Sequence, residues 1–243
     1  MSPTCECDGC CCRYDYEVAV HKMHFDCIPE EAYPDAFVAA CKYGVLSMAE
    51  ELVTVESVTP EYMDSDAIKW ASRNGHLDVV QFLTGFESVN PGADNNCAIV
   101  WASCNGHWDV VKFLAPLDSV NPGVEDSIVF RDACRSGRLD MVKFLLTFDS
   151  VNPGDYENDA IRMASREGHL EVVKFLSDLP SVNPGDADND AIRWASRQGH
   201  LEVVKFLADL PSVDPRAGDD DALGWAKLNK HQDVVDFLTS ICV

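Results

Sequence analysis

The side chains best suited to metal or redox chemistry lie near the N-terminus. Five cysteines fall within eight residues, and two histidines and a sixth cysteine follow them: Cys5, Cys7, Cys10, Cys11, Cys12, His21, His24 and Cys27. Zinc binds four such ligands in a tetrahedron. Because the spacing lacks the paired C-x2-C pattern of structural zinc sites, we predict no metal site and favour a reduced, flexible tail over zinc bound to Cys5, Cys7, Cys10 and Cys12. Thioacylation of the cluster is a third alternative, and it would anchor the chain to a membrane.

A second set of possible metal ligands is a series of histidines spaced by 31 residues or by twice that number, namely His76, His107, His169, His200 and His231. If each belongs to one unit of a stacked array, neighbouring histidines lie about 10 Å apart. A zinc–nitrogen bond is only about 2 Å long, so these histidines cannot share one ion. We therefore predict that each histidine is structural and bonds its own loop.

Basic residues four positions apart form the most informative series. The pairs are Lys69 and Arg73, Arg131 and Arg135, Arg162 and Arg166, and Arg193 and Arg197, and this spacing places both members of a pair on one face of a helix. Arginine binds carboxylates through two parallel hydrogen bonds, so one hypothesis is that these residues bind an acidic or extended peptide. The other, which we favour, is that they pair with the chain's own loop carboxylates, each exposed pair contributing at most about 1 kcal/mol. Those carboxylates belong to Asp94, Glu125, Asp126, Asp155, Glu157, Asp186, Asp188 and Asp219.

No grouping of residues predicts catalysis. A nucleophile, a general base and an orienting acid do not occur together outside the regular sequence pattern, and no glycine-rich phosphate loop is present. We therefore predict that the protein is not an enzyme and binds no cofactor.

Charge and cysteine content limit the partners and the compartment. The 243 residues carry a formal charge of −22, which argues against nucleic acid or an anionic membrane as the main partner. There is no long apolar run and no secretory signal, so we predict no membrane span. The eleven cysteines are an odd number, and those of the later sequence lie at unrelated positions of the repeat described below. This pattern predicts an intracellular, cytoplasmic protein, in the host cytoplasm or the virion if the protein is viral.

A repeat of 31 residues must position the histidines and the basic and acidic series. The segment from Asn189 to Pro215 recurs from Asn158 to Pro184 with four differences in 27 positions, and glycines and prolines recur at the same interval through nearly the whole chain. Such a period is the signature of a solenoid, whose units bury their apolar faces against one another.

Each unit is predicted to form two short helices and a loop. Asn189 or Asp190 is the expected N-cap of the first helix, and Gly199 ends that helix in a left-handed conformation. A second helix is predicted from about Leu201 to Asp209, and the Pro-, Gly- and Asp-rich segment from Ser212 to Asp221 returns the chain to the next unit.

The unit resembles an ankyrin repeat. Asp190 to Ala195 match the family's T-P-L-H-x-A, while Gly199-His200, Leu201 to Val204 and Val182-Asn183 match its Gly-His, Leu-Glu-Val-Val and Val-Asn elements. The resemblance covers Tyr33 to Val243 and is closest to divergent arrays of protists and of large DNA viruses of amoebae. It implies an all-α, ankyrin-type solenoid of stacked helix-turn-helix repeats with short projecting loops. Asp and Arg replace the Thr and His of the family pattern, so the hydrogen bonds that the family makes there are not carried over.

The period and the resemblance together predict four segments. Residues 1–13 form a cysteine-rich tail, residues 14–33 a degenerate half-repeat or N-terminal cap, residues 34–219 six ankyrin-like repeats, and residues 220–243 a C-terminal capping repeat. The cap should expose Lys227, Asn229 and Gln232 to water. The tryptophans at one repeat position are interpreted as packing between repeats.

The resemblance implies a non-catalytic scaffold, a monomer on its own, that binds another protein through the concave groove of the array. Val100 and Cys104 form an apolar notch in this groove, and Asp132, in place of a tryptophan, is a local weak point or a polar contact. The alternatives are a structural component, for example of a virus particle, or an adaptor whose cysteine-rich head binds zinc or is acylated. The predicted partner-binding residues are Lys69, Arg73, Asn74, Val100, Trp101, Cys104, Asn105, Arg131, Asp132, Arg135, Arg162, Arg166, Glu167, Arg193, Arg197 and Gln198.

Overall fold

The computed structural model describes residues 28–55, 58 and 66–241. These residues fall into two compact units, one ending at Asn121 and the other beginning at Pro122. All regular secondary structure in the described ranges is helical. The cysteine cluster, and with it the predicted tail and most of the predicted half-repeat, lies outside the described residues.

The described residues of the first unit form six α-helices, after a 3-10 turn at Glu30–Ala32. They are α1 (Tyr33–Tyr43), α2 (Leu46–Leu52), α3 (Asp66–Asn74), α4 (Leu77–Leu83), α5 (Ala93–Cys104) and α6 (Trp108–Leu114).

Eight α-helices build the second unit. They are α7 (Val124–Arg135), α8 (Leu139–Leu145), α9 (Asp155–Arg166), α10 (Leu170–Ser177), α11 (Asp186–Gln198), α12 (Leu201–Ala208), α13 (Ala217–Leu228) and α14 (Gln232–Ile241).

Within each unit the helices form two rows. We call the odd-numbered helices first helices and the even-numbered ones second helices; each first helix packs against the next first helix of its unit and against the second helix that follows it. The core lies between the rows, where Ala191, Ile192 and Ala195 of α11 meet Val203 and Val204 of α12, all of them buried. The predicted all-α stack of helix-turn-helix repeats is confirmed.

A histidine of one repeat closes the first helix of the repeat before it. Gly199 ends α11 with a φ of 80°, and a Cβ at this position would lie 2.5 Å from His231 Nδ1. His231 Nε2 lies 3.0 Å from the carbonyl oxygen of Arg197. Because a carbonyl oxygen only accepts, Nε2 carries the proton. The predicted hydrogen bond to the histidine's own loop is therefore wrong for His231, since the bond runs to the preceding repeat. It is wrong in the same way for His76, His169 and His200, which bond the backbone carbonyls of Lys42, Arg135 and Arg166.

A left-handed turn precedes the right-handed part of five first helices in the described residues, namely α5, α7, α9, α11 and α13. In α11 it comprises Ala187, Asp188 and Asn189, with φ of 50°, 54° and 60°. Asn189 therefore does not cap α11 as predicted, and its Oδ1 instead accepts a hydrogen bond of 2.7 Å from the backbone N–H of Asp214 in the next loop. Asn96, Ser127 and Asn158 accept equivalent bonds. This link between a helix start and the following loop offsets a conformation that costs about 1–2 kcal/mol per residue.

Two cysteines share one repeat position. Cys41 and Cys134 lie 93 residues apart, which is three periods, so the prediction that the array cysteines occupy unrelated positions is wrong for this pair. Both are buried, and the equivalent position of other repeats is a serine, for example Ser72 or Ser165. Burial raises the pKa of both thiols, so they stay protonated and serve as small packing groups.

Candidate functional site

Two series of basic residues lie on the first helices, about one helical turn apart. We call those nearer the helix start the inner series (Lys69, Arg131, Arg162 and Arg193) and those four positions later the outer series (Arg73, Arg135, Arg166 and Arg197). All eight belong to the predicted partner-binding residues. The structure gives the two series different surroundings.

Aspartates neutralise the inner series of the second unit. Arg131 Nη1 lies 2.8 Å from Asp159 Oδ2, and Asp159 Oδ1 lies 2.8 Å from Arg162 Nη2. Arg162 Nη1 lies 3.4 Å from Asp190 Oδ2, and Asp190 Oδ1 lies 2.8 Å from Arg193 Nη1. Arginines and aspartates therefore alternate from repeat to repeat.

We call this series of alternating arginine and aspartate ion pairs the ladder. Its aspartates differ from those predicted from the sequence. The arginines of the inner series do pair with the chain's own aspartates, but the partners Asp159 and Asp190 lie at the start of the right-handed part of α9 and α11 and are not the loop carboxylates expected. Asp221 continues the pattern, with Oδ2 3.0 Å from Arg193 Nη2. Asp and Arg occupy the positions of Thr and His in the family pattern, so ion pairs connect consecutive repeats there.

Lys69 is the inner residue of the first unit. Its Nζ lies 2.8 Å from Asp66 Oδ1 and 2.6 Å from Asp94 Oδ2, so here one of the expected loop carboxylates does take part. Burial disfavours the ammonium form of Lys69, but the two carboxylates outweigh that effect and raise its pKa. Lys69 is therefore fully charged at neutral pH and neutralised locally.

The outer series stacks on tryptophan. Arg197 Cζ lies 4.8 Å from the ring centroid of Trp194 and 4.7 Å from that of Trp225, while Arg166 Cζ lies 5.2 Å from Trp194. No carboxylate among the described residues forms an ion pair with Arg197, and Arg166 has one at 3.6 Å, from its neighbour Glu167. The second unit thus carries arginines that aromatic rings hold in place but that its aspartates leave largely unpaired.

The first unit repeats this arrangement. Arg73 Cζ lies 5.0 Å from the Trp70 centroid and 5.5 Å from the Trp101 centroid, and the two rings pack edge to face at 5.6 Å. The predicted packing between repeats is confirmed for this pair. The tryptophans are nevertheless only half-buried, outside the core, and sequence reasoning missed their stacking with the outer arginines.

Repeat four departs from this pattern at Asp132. Its side chain is 9% exposed and occupies the tryptophan position, and Arg135 Nη2 donates to its Oδ1 over 2.8 Å. Arg135 is thus an outer arginine with a close carboxylate partner on its own helix.

The remaining predicted residues lie at or near the ends of the first helices. Asn74 and Asn105 donate through Nδ2 to the backbone carbonyls of Lys42 and Trp101, both over 2.8 Å. In the predicted notch Cys104 is exposed and Val100 is half-buried. Glu167 and Gln198 are exposed at the ends of α9 and α11.

Sequence reasoning missed Leu228. It follows Arg197 by 31 residues and so takes the outer position in the last repeat, where it is 70% exposed. Lys227, Asn229 and Gln232 around it are exposed as predicted. Aligning the last repeat with the others would have revealed an apolar residue at an arginine position.

The cavities on this surface are shallow. One of about 120 Å³ is lined by residues that include Arg193, Trp194, Arg197 and Trp225, and one of about 150 Å³ adjoins Arg162, Met163 and Arg166. Small-molecule sites usually measure about 300–1,000 Å³. The surface is therefore suited to individual side chains of a partner rather than to an enclosed ligand.

No three His, Cys, Asp or Glu side chains come together as metal ligands in the described part of the chain. None of its helices combines the length and the apolar character needed to cross a membrane.

Comparison with known families agrees with this architecture. The family model for ankyrin repeats (3 copies) matches residues 36–126 and again residues 100–188. These matches cover more than half of the chain, which therefore belongs to the ankyrin-repeat family. Ankyrin repeats generally mediate protein–protein interactions. A search of curated proteins found no match.

Proposed function

We propose that the chain is a non-catalytic scaffold that binds a partner protein through the surface of its first helices. The observation that carries this proposal is the contrast between the two basic series. Aspartates engage the inner arginines, whereas Arg166 and Arg197 are stacked on indole rings and have little or no carboxylate pairing within the described residues. Structural ion pairing explains the first series and Arg135 of the second, but it does not explain Arg166 and Arg197.

The composition of this surface supports a protein as the partner. Binding energy at protein interfaces concentrates in tryptophan, tyrosine and arginine, and the surface alternates Trp194, Arg197 and Trp225. Stacking restricts the arginine side chains before binding, which reduces the entropy lost in the complex. The cavities beside them are too small for a cofactor-sized molecule.

The test is a charge reversal on each row of helices. Arg166→Glu combined with Arg197→Glu changes the outer series, and Lys174→Glu combined with Lys205→Glu makes the same charge change on α10 and α12 of the same repeats. Lys174 and Lys205 are both 44% exposed and pair only with a glutamate of their own helix. Quantitative mass spectrometry of co-purified proteins should show partners bound by the wild-type chain and by the lysine variant but lost from the arginine variant. Retention of every partner by the arginine variant would overturn the proposal.

A further inference from the structure

We propose that the partner presents a polyproline II segment with two acidic residues three positions apart and an apolar residue three positions beyond them. The segment lies along Arg166, Arg197 and Leu228, which we call the outer strip. This inference rests on the proposed function, because it specifies the partner of the same surface. It concerns only the second unit.

The two arginines of the strip select carboxylates. Trp194 and Trp225 lie on the guanidinium of Arg197 at 4.8 Å and 4.7 Å, so its N–H groups are held rather than moving freely through solvent. Held guanidinium groups bind carboxylates through paired, charge-assisted hydrogen bonds. The described chain supplies no such carboxylate to Arg197, and the nearest to Arg166 is 3.6 Å from its Nε. A partner can provide one carboxylate to each of these two arginines.

Spacing sets the interval between the acidic residues. The Trp194 centroid lies 5.2 Å from Arg166 Cζ and 4.8 Å from Arg197 Cζ, so the two Cζ atoms are at most about 10 Å apart. A polyproline II helix has three residues per turn and a rise of 3.1 Å, which places side chains on one face every ~9 Å. In a β-strand the side chains on one face repeat every two residues, or about 6.6 Å, which is shorter than the roughly 8–10 Å between the axes of packed helices. Polyproline II geometry therefore matches neighbouring repeats at a three-residue interval.

Leu228 sets the third position of the segment. It takes the place of the next outer arginine and is 70% exposed, one turn beyond Trp225 on α13. An exposed leucine beside an aromatic ring contacts an apolar side chain better than a carboxylate. The order of preferences along the strip is thus acidic, acidic, apolar.

Charge disfavours a nucleic acid on the same strip. The whole chain carries a formal charge of −22, and the partly exposed Asp190 and Asp221 lie beside the arginines. A polyanion with a phosphate at every nucleotide would meet these aspartates. A segment with only two carboxylates carries far fewer charges for these aspartates to repel, and its spacing matches the two arginines.

Synthetic peptides test this inference on the full chain. Fluorescence anisotropy would compare Glu-Pro-Pro-Glu-Pro-Pro-Leu and its reversed sequence with a peptide whose glutamates are two positions apart, with a glutamine peptide, and with a single-stranded oligonucleotide of similar length. We expect at least one of the first two to bind, and the altered peptides and the oligonucleotide to bind at least about tenfold more weakly, the effect of losing one charged hydrogen bond. Arg166→Gln and Arg197→Gln should each weaken binding by about tenfold, and Lys174→Gln with Lys205→Gln should not change it.

Three results would contradict this inference: no binding of either sequence up to about 1 mM, equal binding of the two-position peptide, or tighter binding of the oligonucleotide. The glutamine peptide keeps the test valid if an arginine variant misfolds, because it leaves the protein unchanged. If no peptide binds while the charge-reversal variant still loses its protein partners, the peptide motif is wrong and the proposed function stands.

Discussion

Arg131 Nη1 lies 2.8 Å from Oδ2 of Asp159, a nearly buried carboxylate on the next first helix. Asp159 also binds Arg162 of its own helix, at 2.8 Å. One carboxylate thus joins two repeats, and within the described residues the aspartates of this ladder pair with inner arginines and not with Arg166 or Arg197.

Removing the charge of Asp159 should destabilise the second unit. Asp159→Asn leaves two arginines, 20% and 16% exposed, without their shared carboxylate, and we expect a loss of about 1–3 kcal/mol. The matched control is Glu171→Gln, since Glu171 is 73% exposed in its pair with Lys174 and should cost less than about 1 kcal/mol. Urea unfolding followed by circular dichroism measures both, and equal midpoints for the two variants would contradict a structural role for the ladder.

Gly199 and Gly224 should respond to alanine with opposite signs. Gly199 has a φ of 80°, and an added Cβ would lie 2.5 Å from His231 Nδ1, whereas a Cβ at Gly224 within α13 meets nothing within 4 Å. Gly199→Ala should therefore destabilise the chain by more than about 1 kcal/mol, and Gly224→Ala should stabilise it by up to about 1 kcal/mol. Thermal unfolding compares the two, and stabilisation by Gly199→Ala would refute the role given to the histidine contact.

Lys230 takes the place of that glycine in the last repeat. Its φ is 64° and its side chain is exposed, so Lys230→Gly should relieve backbone strain and stabilise the chain by about 0.5–1 kcal/mol. Asn229 has an ordinary φ of −92°, and Asn229→Gly should give no such gain. A lower melting temperature for Lys230→Gly than for the wild type would show that the left-handed conformation is not strained.

Thiol labelling should separate the cysteines by burial. Because burial raises the pKa of the Cys41 and Cys134 thiols, their thiolate fraction stays negligible as the pH rises through the ordinary cysteine pKa of about 8.5. Cys104 is exposed and should be alkylated before Cys41 and Cys134 at about pH 8. Peptide mass spectrometry after iodoacetamide treatment measures each site. Labelling of Cys134 as fast as Cys104 in the folded chain would mean that the helix rows open readily.

The fold was predictable from sequence because the period, the glycine spacing and the apolar face all indicate the same helix pair. The left-handed turns were not. Tyr156, Glu157 and Ala187 disfavour positive φ, and the compensating hydrogen bond of Asn189 reaches a loop 25 residues away. Only the stacked repeats reveal that bond.

The basic residues of the candidate site could be predicted from the sequence, but their separation into an inner and an outer series could not. The spacing of four placed Arg193 and Arg197 on one face, yet nothing local distinguished them. The difference arises between repeats, because Arg193 forms an ion pair with Asp221 of α13, while Arg197 lies over the ring of Trp225 on the same helix. These partners belong to the next repeat, so a single repeat does not show them.

Site-specific photocrosslinking tests the central claim most directly. Benzoylphenylalanine in place of Gln198, exposed at the end of α11, would lie beside the outer strip, and the same residue in place of Glu202 would lie exposed on α12. In cells that express the chain, we predict a protein adduct from position 198 that Arg166→Glu with Arg197→Glu abolishes, and none of that mass from position 202. An adduct formed only from position 202, or one from position 198 that survives the double charge reversal, would contradict binding through the first helices.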